Sequence, residues 1–237
     1  TKLIPAFAAL FLFTAPHAAF AQKQKDDTPP VAFGENAKKD DDAPAAPFRT
    51  YAPINYDPAV DPENVWVLDL SNGQRVKIRL QADWAPGHVE RIKTLTRAGF
   101  YNGVVFHRVI DGFMAQGGDP TGTGQGGSEL PDLKAEFNPM PHIRGTLSMA
   151  RASEEDSANS QFFIVFYPRF SLDKKYTNFG RVIENMEAVD AINRGEPPAQ
   201  PTFIVQASLA SDNLPPPPPV RAEEAEISAD MLSAPIG

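Results

Sequence analysis

Phe106 to Asp119, FHRVIDGFMAQGGD, bring a guanidinium, a carboxamide and several large apolar side chains into one short stretch. Read as strands over Val104–Ile110 and Phe113–Gly117, the stretch alternates its side chains between two faces. Phe106 and Arg108 then share a face and His107 points the other way. Gly112 allows a bend, after which Phe113, Met114 and Gln116 follow. Such a hairpin offers hydrogen-bond donation from a group that is always charged, set beside an apolar surface. The same residues also read as a surface charge above ordinary core, and alternation alone leaves both readings open.

Other chemistries are excluded more firmly. The chain has no cysteine, which removes disulfides, thiolate zinc sites, iron–sulfur clusters and a thiol nucleophile. It contains no GxSxG, so the common serine-hydrolase elbow is missing. Gly122 to Gly127 matches GxGxxG by letter, but Pro131 interrupts any helix soon after it and no βαβ unit surrounds it. A dinucleotide fingerprint needs that context, so a flexible loop is expected. The four histidines, His17, His88, His107 and His142, lack metal-motif spacing and are expected to be structural or exposed.

The elements that must position these residues are mostly strands. Val65–Leu70 and Arg75–Leu80 flank Asn72-Gly73, a strong hairpin signal. Val76, Ile78 and Leu80 alternate with Arg75, Lys77 and Arg79, as in a half-buried strand. Further strands are expected at Thr146–Ala150, Phe162–Phe166, Phe179–Ile183 and Thr202–Ser208. One helix should start near Pro86 and stop at Gly99, burying Val89, Ile92, Leu95 and Thr96. A second should span Glu184–Arg194 and end at Gly195. Eight short strands without a βαβ rhythm predict a closed eight-stranded antiparallel barrel, its ends plugged by two helices.

The 237 residues divide into four stretches. Leu3–Phe13 is apolar but too short to cross a bilayer. With Ala19 and Ala21 at A-x-A spacing it reads as a signal peptide, 1–21, of which Lys2 is the only basic residue left. Residues 22–61 form a Pro/Asp-rich linker and 210–237 a Pro-rich acidic tail, both expected to be disordered. Half of the 24 prolines lie in these two segments, whose charges are −3 and −4, against −2 for Pro62–Leu209. The acidic balance argues against nucleic-acid binding, and no stable membrane insertion is expected after signal cleavage.

The motifs recur in an order that resembles the cyclophilin family. FHRVIDGFMAQGGD is followed by GTG at Gly122–Gly124, LSMA at Leu147–Ala150, NSQFFI at Asn159–Ile164, SLD at Ser171–Asp173 and NFGRV at Asn178–Val182. The resemblance covers nearly all of Pro62–Leu209 and implies a barrel capped by two helices. It implies cis–trans isomerisation of X–Pro bonds, with no metal or cofactor. Arg108 matches the catalytic arginine, Phe113 and Met114 the floor of a proline pocket, and Gln116 a glutamine beside the arginine, expected to hold the guanidinium. Ala150 and Arg151 match the backbone that pairs with the peptide, Gln161 a polar contact, and Phe163 and Leu172 pocket walls.

Three positions depart from the best-known members. Tyr176 replaces a histidine, Arg151 an asparagine, and Ser171 a tryptophan that helps hold cyclosporin, so weak cyclosporin binding is expected. Implied partners are proline-containing segments of exported proteins, met by a monomer of the exported bacterial type in a periplasm. A non-catalytic proline-peptide-binding or chaperone module with the same fold is the alternative.

Overall fold

The computed structural model describes residues 51–218. The expected signal peptide 1–21, and most of the expected 22–61 linker and 210–237 tail, lie outside the described residues. The described residues form eight strands: β1 (Val65–Leu70), β2 (Arg75–Leu80), β3 (Arg108–Ile110), β4 (Met114–Gly117), β5 (Thr146–Met149), β6 (Phe162–Val165), β7 (Asn178–Glu184) and β8 (Ile204–Leu209). All pair antiparallel in one sheet of order β3-β4-β6-β5-β7-β2-β1-β8. The β1/β2 hairpin turns at Asn72-Gly73 as expected, with Gly73 at φ +80° and Asp69 opposite Arg75.

The sheet is a curled, open half-barrel and not the closed barrel expected. β3 and β8 are its two ends, and among the described residues the chain beside β3 meets the chain beside β8 in a single β-bridge, Val105 to Phe203. β3 keeps just three residues of the expected Val104–Ile110, and its outer edge is taken by Gly195. A closing ladder therefore has no length to form.

Helix α1 (Pro86–Arg97) buries Val89, Ile92, Leu95 and Thr96 as its pattern predicts. Ala85 offers no capping side chain, and Glu136 supplies the missing acceptor from 49 residues away: Gly87 N and His88 N donate to its carboxylate at 3.1 and 3.0 Å. The second helix, α2 (Met186–Asp190), is far shorter than Glu184–Arg194. Glu184 belongs to β7, and Asn185 at φ +63° ends the strand and accepts from Ala188 N.

Packing extends past Pro62–Leu209 at both ends. Arg79, expected on the wet face of β2, is only 3% exposed. Its guanidinium donates to the carbonyls of Asn55, Asp57 and Asp61 at 3.1, 2.7 and 2.9 Å, and Trp84 Nε1 donates to Ala52 O. A buried charge must satisfy its donors, so this part of the expected linker is held on the domain. Likewise Ala210–Asp212 forms a 3-10 turn, and Arg75 and Gln206 donate to Leu214 O and Pro215 O.

The main core gathers Trp66, Tyr101, Phe106 and Phe162, with Trp66 edge-on to Phe162 at 5.0 Å. A second, smaller cluster of Met114, Phe163 and Val165 lies apart from it. Alternation along β6 explains the split: Phe162 and Ile164 belong to the main core, Phe163 and Val165 to the other.

Candidate active site

Strand register assembles the site on the face away from the main core. Arg108 pairs with Gln116, Gln116 with Phe163, and Phe163 with Ser148, a row running across four strands. Residues directly opposite share a face, with Cβ atoms roughly 4.5–5.5 Å apart. One row over, Ile110 pairs with Met114 and Met114 with Val165. Half-buried Phe113, Leu172 and Tyr176 complete the apolar patch.

A cavity of about 600 Å³ opens on this face, lined by Arg108, Phe113, Met114, Gln116, Ala150, Arg151, Phe163, Leu172 and Tyr176. Tyr176 stands edge-on to Phe163 at 5.7 Å, and the Arg151 guanidinium lies 4.9 Å over its ring. Arg151 is tied down by the carbonyls of Lys175, Ala152 and Ser153. Arg169 covers Phe113 at 4.8 Å. Gln161 lines an adjoining cavity of about 500 Å³ that shares Gln116, Ala150 and Arg151 with the first.

Two expectations about orientation fail. Gln116 does not hold the guanidinium: its Nε2 donates to Gln161 Oε1 at 2.9 Å, and Arg108 Nε donates instead to Glu196 Oε2 at 2.8 Å. Phe106 and Arg108 do not share a face either. Phe106 enters the main core while His107 joins Arg108 in the cavity wall, because β3 begins only at Arg108 and the alternation breaks before it. Burial lowers the pKa of His107, keeping the ring neutral, and neither ring nitrogen has a partner among the described residues.

The glycine loop after β4 is a wall of both cavities. No helix follows it, as the reading against a dinucleotide motif required. Asp119, fully buried, organises it: its carboxylate accepts from Thr121 N and Oγ1, Gly124 N and Gly126 N at 2.6–3.1 Å. Burial alone would raise the Asp119 pKa, but these bonds outweigh it and hold the group below its usual value. Gln161 Nε2 ties the same loop to the floor through Gly124 O and Gly126 O.

Behind Phe163 lies a serine–histidine–aspartate chain that sequence reading missed. His142 Nδ1 is 2.8 Å from Asp173, and its Nε2 is 3.0 Å from Ser148 Oγ, which also reaches Thr177 O at 2.8 Å. Ser148 and His142 are wholly buried, so no substrate reaches the hydroxyl. The histidine ring instead stacks on Phe163, with centroids 6.4 Å apart. Glu196 and Pro197 were also missed; they line the cavity from a segment without regular structure, and no local motif marks them.

The family model for cyclophilin-type peptidyl-prolyl cis-trans isomerases matches residues 67–209. The chain belongs to this cyclophilin family. A Brucella suis protein named "Probable peptidyl-prolyl cis-trans isomerase" is 45% identical over 170 residues, covering 65% of this chain and 86% of the relative. Peptidyl-prolyl cis-trans isomerase B of Bacillus subtilis is 41% identical over 128 residues, covering 54% and 89%. Among solved structures, a cyclophilin from Hirschia baltica superposes with a TM-score of 0.61 at 30% identity, covering 66% of this chain and 77% of that one. A Cryptosporidium parvum cyclophilin, solved in the presence of the dipeptide Ala-Pro, gives 0.57 at 29%, covering 61% and 98%. Of the motifs named from sequence, all but NFGRV contribute a residue to the 600 Å³ cavity.

Proposed function

We propose that this cyclophilin accelerates rotation about X–Pro bonds in exported proteins and so assists their folding, acting as a periplasmic monomer. The observation that carries the isomerase reading is the cross-strand row. It sets an always-charged donor, Arg108, at the rim of an apolar pocket built by Phe113, Met114, Phe163 and Leu172. The export reading is supported by the Leu3–Phe13 run and the Ala19/Ala21 spacing.

The peptide bond resists rotation by about 18–20 kcal/mol because the nitrogen lone pair is conjugated with the carbonyl. Twisting breaks that conjugation and frees the lone pair. A donor that binds the twisted state better than the planar one lowers the barrier. Arg108 is the donor, and the apolar pocket grips the proline ring while the preceding carbonyl turns. A hydrogen bond to a charged group contributes roughly 1.5–3 kcal/mol, which is about ten- to hundredfold in rate.

The test is a protease-coupled isomerisation assay with a proline peptide, using wild type and Arg108→Ala. Wild type should accelerate isomerisation and the variant should lose about ten- to hundredfold while staying folded. No acceleration by wild type would leave a proline-peptide-binding module; an equally fast variant would remove Arg108 from catalysis.

A further inference from the structure

Glu196 is 88 positions from Arg108 and lies outside every strand and helix, yet the backbone brings the two together. Val109 N donates to Gly195 O at 2.7 Å and Gly195 N to Val109 O at 2.9 Å, an antiparallel bridge on the free edge of β3. Residues flanking such a doubly bonded pair face each other at the closer antiparallel spacing, which sets Glu196 opposite Arg108. Arg108 is therefore flanked by Gln116 on one side and Glu196 on the other.

The segment carrying Glu196 is stiff. Gly195 holds φ +146°, where a Cβ would collide with Pro198, and Pro197 and Pro198 fix their own φ. Arg194 is anchored 4.1 Å over the Phe166 ring, and Asn193 bonds Thr202 and the Gln200 carbonyl. From this support the carboxylate engages Arg108 at Nε, and the two Nη groups make no hydrogen bond among the described residues.

We propose that Glu196 is a positioning residue for isomerisation: it holds the guanidinium by its Nε and leaves both Nη groups to donate to the bound peptide. This rests on Arg108 being the catalytic donor. A long arginine otherwise gives up rotamer freedom whenever it engages substrate; the carboxylate removes part of that freedom beforehand. The two side chains are 43% and 51% exposed, so the effect is modest, about two- to fivefold.

The test measures kcat and KM by exchange NMR on a proline peptide, for the full chain, Glu196→Ala, Glu196→Gln and Arg108→Ala. Glu196→Ala should lower kcat about two- to fivefold with KM little changed. Glu196→Gln, whose side-chain oxygen still accepts from Nε, should restore most of the loss. Unchanged or faster turnover in Glu196→Ala overturns the proposal, as does Glu196→Gln no better than Glu196→Ala. A raised KM with kcat intact overturns it too, assigning Glu196 to peptide binding. Arg108→Ala as fast as wild type would instead refute the catalytic role of Arg108; a slow Arg108→Ala beside a fully active Glu196→Ala removes Glu196 alone.

Discussion

Phe162 and Phe163 are chain neighbours that lie back to back across β6, one in the main core and the other in the wall of the candidate site. Both are buried, so burial alone does not distinguish their roles; the face each occupies does. Phe162→Ala opens a hole beside Trp66, Tyr101 and Phe106 and should cost about 3–5 kcal/mol of stability. Phe163→Ala should cost less stability but weaken proline-peptide binding markedly. Denaturant unfolding and peptide titration on both variants check this, and equal losses of affinity would contradict it.

Asp119 should make the glycine loop sensitive to acid. Its folded pKa lies below the unfolded value, so its stabilisation is complete above the ordinary aspartate pKa of about 3.9 and is lost as pH falls through the lowered folded value. Asp119→Asn, which keeps size but accepts fewer bonds, should lower the melting temperature at neutral pH and flatten its fall below about pH 4. Peptide affinity should drop with it, because the loop lines both cavities. Melting curves at several pH values measure the first effect and titration the second.

The Ser148–His142–Asp173 chain should be inert as a nucleophile. A serine-reactive phosphonate is expected to leave the protein unlabelled by mass spectrometry, because Ser148 and His142 are fully buried. Ser148→Ala should still cost about 1–3 kcal/mol, since it strips a partner from a buried histidine. Labelling at Ser148 would reopen hydrolase chemistry.

Ser171 stands exposed in a 3-10 turn (Phe170–Leu172), next to the cavity residue Leu172. Where the resemblance places a tryptophan that helps hold cyclosporin, this chain has a hydroxyl. Ser171→Trp should tighten cyclosporin binding by more than tenfold while changing isomerisation little. A cyclosporin titration of both proteins decides it.

Much of the site was legible because its signals are local. Phe113, Met114, Gln116 and Phe163 sit within short motifs whose order carries the family resemblance, and all line one cavity. Tyr176, a departure from the best-known members, keeps an aromatic wall there. The buried face of α1 was legible from its 3.6-residue period, and the β1/β2 hairpin from Asn72-Gly73. His107 was misread for an equally local reason: the strand that would have turned it away from Arg108 starts one residue too late.

Residue order by itself determined most of the strand runs, the long helix and the apolar side chains that line the cavity, since alternation and turn chemistry act over a few positions. Tertiary structure alone decided that the sheet stays open at β3 and β8, that Arg79 fastens the 55–61 stretch, and that Glu196, not Gln116, meets Arg108. Each of those outcomes depends on partners distant in the chain competing for one edge, one buried charge or one guanidinium. No short window of sequence records which partner wins.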